Sequence, residues 1–309
     1  MSEHLYLLGH HIKHSKSPDM YNAVYAQWGL PWTYSLADIS SEKNAERFLE
    51  RGEYLALNIT TPYKSLAYKA ADRRSSSAVL ARGANILTFA RGEKVVYDTD
   101  GRGFVRYLKR LGFGFNGARI AICGTGPTAR AIMHASALEG AREVSLVSRS
   151  FSNAQQVLED YKANLDYYEH TEDDEAYLTG EGLKLNEVSS RVSFLGRDYD
   201  ELKDVLSQVD LVVNATPLGM KRRDPAPFDT SLINSNQVAF DVVYGHGETA
   251  FVAGAKSQGA KVLDGSGMLV GQAVATIQVL MHTTQYRMLL SEDDLFDFLA
   301  KAAGFNLKL

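Results

Sequence analysis

The chain has one cysteine, Cys123, so no disulfide can form within it. That fits a reducing compartment, and a cytoplasmic location is the expectation. It has no apolar run long enough to cross a bilayer, so no membrane partner is expected. Neither sign of charge dominates: 33 Lys and Arg stand against 37 Asp and Glu, and the net charge of −4 offers nothing to draw nucleic acid or an acidic lipid surface. No repeat recurs at solenoid spacing. The opening MSEHLYLLGHHIKHSKS has few apolar residues and no basic leader with a cleavage signal.

The composition is that of an ordinary globular protein, 45% hydrophobic and 23% charged over 309 residues, a length that predicts two domains rather than one core. HLYLLG (4–9), WTYSLADI (32–39), YLALNIT (54–60) and NILTFA (85–90) are short apolar runs that read as strands. Ser17-Pro18 opens a helix carrying Met20, Val24 and Trp28 on one face, and Ser41 stands where it would cap a second one. The alternation predicts an α/β fold. A second series begins near residue 104. FVRYLKRLG reads as a helix closed by glycine. RIAIC, EVSLV, DLVVN, QVAFD and KVLDG then place apolar runs before polar or glycine residues, the pattern of parallel strands with loops at their C-terminal ends. Residues 160–200, rich in acid and tyrosine, read as an insertion of helical and loop segments. From Met268 the pattern is helical to the end.

CGTGPT (123–128) lies between a buried strand and a helix. Gly124 and Gly126 permit a tight turn and close approach of a pyrophosphate to backbone N–H groups, although Pro127 and Ala129 leave the three-glycine fingerprint incomplete, and a plain strand-to-helix turn fits as well. The next strand ends in Ser148-Arg149-Ser150 instead of the acid that holds a ribose 2′-hydroxyl in NAD-binding domains. An arginine with two hydroxyls suits a 2′-phosphate, hence NADP, with an exposed surface arginine as the alternative.

NITTPYK (58–64) ends a strand on a lone lysine, and VYDTDGRGF (96–104) offers Asp98 and Asp100 as partners, both on one side if that segment is extended. A carboxylate beside Lys64 in a cleft would orient it and tune it for proton exchange with an alcohol or carbonyl oxygen, with no metal required. A surface salt bridge is the alternative.

Taken together, these segments resemble the shikimate dehydrogenase family, which includes the quinate dehydrogenases. Eight blocks carry the resemblance in order: HSKSPDMYN, NITTPYK, GANIL, YDTDGRGF, CGTGPTARA, NATPLGM, FDVVY and GSGMLVGQA. The resemblance implies a substrate domain at 1–103, a Rossmann-type NADP-binding domain at 104–267 and C-terminal helices, 268–309, packing back on the first. It implies that Lys64 and Asp100 form the catalytic pair. Ser15 and Ser17 would hold a substrate carboxylate, and Thr60, Asn85, Asp100 and Gln272 the ring hydroxyls. Gly124, Gly126, Thr128, Ser148, Arg149, Ser150 and Thr216 would meet the cofactor. Tyr244 and Gly267 would lie where substrate and nicotinamide approach.

The implied reaction is reversible, NADP-dependent reduction of 3-dehydroshikimate to shikimate by a monomer or homodimer. A quinate/shikimate or polyol dehydrogenase using NAD or NADP is the nearest alternative, and a non-catalytic NADP-sensing module one of another class. The chain departs from the family pattern at Tyr21 for histidine, Asp98 for asparagine, Ile86 for threonine and Gly245-His246 for Asn-Pro. Asn153 stands near the place of a second arginine of the NADP clamp. These departures bear on substrate and cofactor choice.

Overall fold

The computed structural model describes residues 3–168 and 185–307. Of the stretch read as an insertion, 169–184 lie outside the described residues. The elements run β1 (His4–Gly9), α1 (Ser17–Gln27), β2 (Thr33–Asp38), α2 (Glu42–Arg51), β3 (Ala56–Ile59), α3 (Lys64–Ala70), β4 (Arg73–Arg74), α4 (Ser76–Ala81), β5 (Ile86–Ala90), β6 (Glu93–Tyr97) and α5 (Asp100–Arg110). Then come β7 (Arg119–Cys123), α6 (Pro127–Leu138), β8 (Glu143–Val147), α7 (Phe151–Tyr168), α8 (Leu185–Arg191), β9 (Ser193–Arg197), α9 (Leu202–Leu206), β10 (Leu211–Asn214), β11 (Val238–Asp241), α10 (Ala250–Ser257), β12 (Lys261–Leu263), α11 (Ser266–Thr284) and α12 (Glu292–Ala302).

Two sheets result. The first has the order β2-β1-β3-β5-β6-β4 and is mixed: β1 pairs parallel with β2 and β3, while β3–β5 and β5–β6 are antiparallel. The β5–β6 hairpin turns through Arg91 and Gly92, both at positive φ (53° and 84°), the backbone that matches strand twist. The second sheet, β12-β11-β10-β7-β8-β9, is parallel throughout, with the strand order of a Rossmann fold. Its central strands β7 and β10 are buried on both faces, which is why they read as unbroken apolar runs. One apolar core continues from Leu5 and Leu7 under the first sheet, through Phe104 and Ile277, to Ile120 and Leu211 in the second.

The joint between the sheets is the crossing of α5 and α11. A Cβ on Gly103 would lie 2.3 Å from the Gln272 nitrogen, and one on Gly271 would lie 2.4 Å from the Gly103 oxygen, so the backbones touch and no side chain fits between them. Helix α12, capped by Ser291 accepting from the Asp294 N–H at 3.1 Å, packs on α1 and α11 and so returns the C-terminus to the first sheet.

Three expectations change. Residues 98–104 are not extended. Strand β6 stops at Tyr97, and α5 begins at Asp100, four residues before the expected helix, because the Asp98 Oδ1 accepts the Asp100 N–H at 3.0 Å and turns the chain. Lys64 does not end a strand: β3 ends at Ile59 and Lys64 is the first residue of α3. Ser41 precedes α2, but its side chain makes no cap bond.

Candidate active site

A cavity of about 750 Å³ opens between the two sheets, at the C-terminal ends of β1, β3, β7, β8, β10 and β11. Loops gather there because parallel strands all end on the same side.

Its floor is a hydrogen-bonded cluster drawn from both sheets. Lys64 enters from the start of α3, and Asp100 from the start of α5. The Lys64 ammonium donates to the Asp100 Oδ2 and, at 3.1 Å, to the Thr128 Oγ1; the Thr128 hydroxyl donates to the same Asp100 oxygen at 3.0 Å. The other Asp100 oxygen accepts from the Asn85 amide at 2.8 Å. Asn85 is fixed in turn, its Oδ1 accepting the Thr99 N–H at 2.9 Å, and its amide lies 3.4 Å from the Gln272 Oε1. The Lys64 and Asp100 side chains are only 13% and 9% exposed. Burial alone would pull the lysine down. The charges of Asp100 and Asp98 and the hydrogen bond to Asp100 outweigh it and hold Lys64 above its ordinary value.

The first-sheet wall carries Ser15, Ser17 and Thr60, with Asn58 beside them. The Ser15 hydroxyl donates to the Ser17 Oγ at 3.2 Å. Asn58 accepts from the Tyr34 hydroxyl at 2.9 Å, and Tyr34 stacks on Tyr21, the residue standing for a histidine, at 4.4 Å between centroids. Tyr244 closes this end. Burial raises its phenol, and a hydrogen bond with Ser15 opposes that rise. At the mouth, His14 and His246 meet edge to face at 4.8 Å. Partial burial first, then the neighbouring His246, holds His14 below its usual value, opposed by a hydrogen bond to the His11 backbone.

The second-sheet wall is the glycine turn. Gly124 has φ +123°, and a Cβ there would stand 2.8 Å from the Ala215 oxygen, so only glycine fits without strain. Gly126 has nothing within 4 Å of a Cβ position, which leaves its face open to the cavity beside the start of α6. The first turn of that helix presents N–H groups with no partner inside the helix. Thr125 is pinned by the Asn153 amide at 3.0 Å. Ser148 and the exposed Arg149 line the far end. Thr216 donates to the Asn214 Oδ1 at 2.6 Å and shapes the turn after β10. An open glycine cradle, a free helix start and a cation at the end of β8 fit a dinucleotide with a 2′-phosphate.

Most of the residues singled out in the sequence thus meet in one cavity; Ser150 and Gly267 do not line it. Ser150 lies at the start of α7, where its Oγ accepts the Asn153 N–H at 3.4 Å. Gly267 packs α11 onto α5, with a Cβ position 2.3 Å from the Tyr107 ring. The cavity also holds Thr125, Asn58, Tyr199, His14 and His246, which sequence reasoning did not place there. Asn58 belongs to NITTPYK and His14 to HSKSPDMYN, so both carry a motif signal. Tyr199 follows β9 in the stretch read as an insertion and carries no motif signal. Among the described residues no group of three or more His, Cys, Asp or Glu could hold a metal ion, and no helix is long and apolar enough to cross a membrane.

A mixed sheet facing a Rossmann sheet, with an ammonium–carboxylate pair at their junction, defines a two-sheet dinucleotide-binding α/β protein. Comparison narrows the class. Residues 7–87 match the shikimate dehydrogenase substrate binding domain. The chain is 30% identical over 278 residues to the shikimate dehydrogenase (NADP(+)) of Methanopyrus kandleri, covering 88% of each chain. Its fold is similar to the shikimate dehydrogenase of Aquifex aeolicus (TM-score 0.75, 24% identity, 97% of each chain). It is similar also to the shikimate 5-dehydrogenase of Listeria monocytogenes solved with shikimate and NAD (TM-score 0.71, 25% identity, 96% of each chain). The chain belongs to the shikimate dehydrogenase family.

Proposed function

We propose that this protein is an NADP-dependent shikimate dehydrogenase, interconverting 3-dehydroshikimate and shikimate. The observation that carries the reading is the Lys64–Asp100 pair, which faces the cavity within hydrogen-bond reach of the glycine turn through Thr128. The chemistry a bound NADP(H) supplies is hydride transfer. Gly124, Gly126, Thr216 and the start of α6 would hold its pyrophosphate half, and Ser148 and Arg149 its 2′-phosphate.

Lys64 is held protonated, so in the direction of reduction its Nζ gives a proton to the ring carbonyl oxygen. In the reverse direction the neutral amine takes the proton from the hydroxyl. Asp100 keeps the lysine in place throughout, and Asn85, Gln272 and Thr60 offer amide and hydroxyl groups to the other ring hydroxyls. Ser15 and Ser17 take the carboxylate. This proton exchange requires no metal. The protein acts as a cytoplasmic monomer or homodimer, with residues 1–103 and 268–309 serving the substrate and 104–267 the cofactor.

The test is a four-way panel of shikimate and quinate, each with NAD and NADP. NADP with shikimate gives the highest kcat/KM. Quinate carries an extra hydroxyl on the carboxylate-bearing carbon, and Ser15 and Ser17 already bond one another. Leaving that hydroxyl unpaired costs about 1–3 kcal/mol, which corresponds to roughly five- to 150-fold in kcat/KM, and a preference for shikimate of at least about tenfold is expected. Equal or better turnover of quinate would assign a quinate/shikimate or polyol dehydrogenase instead. No turnover of either would assign a non-catalytic dinucleotide sensor.

A further inference from the structure

Thr128 was expected among the cofactor contacts, as the second residue of the helix behind the glycine turn. Its hydroxyl is engaged elsewhere. It accepts from the Lys64 Nζ at 3.1 Å and donates to the Asp100 Oδ2 at 3.0 Å, closing a three-membered ring with the ion pair. The two partners come from the starts of α3 and α5, and Thr128 comes from the second sheet's α6. Beside it Pro127 packs into the notch left by Gly83, where a Cβ would lie 2.5 Å from the proline ring and 3.6 Å from the Lys64 Cβ. The glycine turn is therefore seated on the loop between α4 and β5 at Gly83, and that loop is tied to the lysine by the Ala84 N–H donating to the Lys64 carbonyl at 3.1 Å.

An ammonium group has three N–H donors in tetrahedral array and no acceptor. Asp100 takes one and Thr128 takes another. Both lie on the floor, so the third is left for an oxygen in the cavity. Once that third proton has moved to a substrate oxygen, the amine keeps two N–H bonds, to Asp100 and Thr128, and its lone pair points at the oxygen that received the proton. The return transfer then needs no rotation about the Cε–Nζ bond. With Asp100 alone, the ammonium would spin about a single hydrogen bond and share its remaining two protons among several directions.

We infer that Thr128 is a positioning residue for the proton-transfer step, the second leg of a tripod that aims the lysine's free proton at the substrate and ties that aim to the cofactor turn. The inference rests on the function proposed above, with Lys64 as the proton-exchanging group. It gives the turn a role besides holding phosphate: the segment that seats the dinucleotide also orients the acid, so hydride and proton are delivered in one fixed geometry.

Two substitutions separate this role from the alternatives. Thr128→Val keeps the shape and removes the hydroxyl, while Thr128→Ser keeps the hydroxyl and removes the methyl. For Thr128→Val the expected result is a fall in kcat of about five- to thirtyfold, the effect of losing one charge-assisted positioning hydrogen bond, with KM for NADP within about twofold of the unmodified protein. The rise of shikimate oxidation with pH also moves to lower pH, because removing an acceptor from the ammonium makes it easier to deprotonate. Thr128→Ser restores both kcat and the pH profile. A Val variant with normal kcat and a raised KM for NADP would reduce Thr128 to a cofactor contact and overturn the inference. So would a Ser variant as impaired as the Val variant, since that assigns the effect to methyl packing, or a Val variant with lowered kcat and an unmoved pH profile. If the unmodified protein turns over neither shikimate nor quinate, the proposed function fails and takes the inference with it; the other outcomes leave that function standing.

Discussion

The two ends of the cavity are built on opposite plans. At the junction of the sheets, Asp100 receives hydrogen bonds from Lys64, Thr128 and Asn85, and the pair is nearly shut off from water. At the far end Arg149 is exposed and makes no ion pair among the described residues, and its neighbours Ser148 and Asn153 bond to the chain around them. The first end is organised before any ligand arrives, and electrostatic effects there are strong because the surroundings are dry. At the second, Arg149 is left without an ion-pair partner among the described residues, and under the proposed function a ligand's own charge would supply one. Substitutions at the junction should therefore appear in kcat, and substitutions at the far end in affinity and cofactor choice.

The largest expected effect breaks the junction. Lys64→Ala lowers kcat by roughly two to four orders of magnitude, the range for loss of an acid–base group, while the fold, followed by circular dichroism and thermal melting, is retained. A variant with near-normal kcat would remove Lys64 from the chemistry. The next effect belongs to the far end. Arg149→Ala weakens use of NADP by about 1–3 kcal/mol, as expected for one charge-assisted hydrogen bond to phosphate, and leaves NAD nearly untouched. An unmodified protein that already prefers NAD would defeat this reading of Arg149.

The smallest effect sharpens the comparison within the junction. Asp98 adds to the charge that holds Lys64 up, after Asp100. Asp98→Asn keeps the turn at the start of α5, since the amide oxygen can still accept the Asp100 N–H, and removes one negative charge. The pH at which shikimate oxidation rises should shift downward, with kcat at high pH little changed. An unmoved profile would show that Asp98 serves the turn alone.

Much of the junction was legible from sequence because each residue sits in a motif with its own local signature. Lys64 closes NITTPYK, Asp100 stands in the glycine-spaced YDTDGRGF, and Asn85 lies in GANIL. Their meeting was not local information: Asp100 lies 36 residues beyond Lys64, and Thr128 lies 64 residues beyond it. The resemblance implied the first contact and said nothing of the second. Helix α5 was placed too late because Gly101 and Gly103 look like helix breakers. In the fold they are contact points, with Cβ positions 2.2 Å from the Ala131 oxygen and 2.3 Å from the Gln272 nitrogen, and the tertiary packing they permit outweighs their weak propensity. Strand β9 was missed within an acidic, tyrosine-rich stretch. It lies at the sheet edge with one buried side chain, Phe194, so it carries little of the apolar signal that marked β7 and β10. Ser150 and Gly267 were singled out with the cofactor residues, and in the fold they stand next to the cavity lining rather than in it.

The most direct test of Lys64 as the proton-exchanging group is the pH dependence of kcat for shikimate oxidation with NADP, measured for the unmodified protein and for Lys64→Ala. Oxidation needs the neutral amine, and the site holds the lysine above its ordinary value, so the neutral fraction is small at neutral pH and grows as pH rises. The expected result is a rate that climbs steadily from neutral into strongly alkaline pH in the unmodified protein, and a low, flat profile in the variant. A flat profile in the unmodified protein, or the same climb without Lys64, would contradict it.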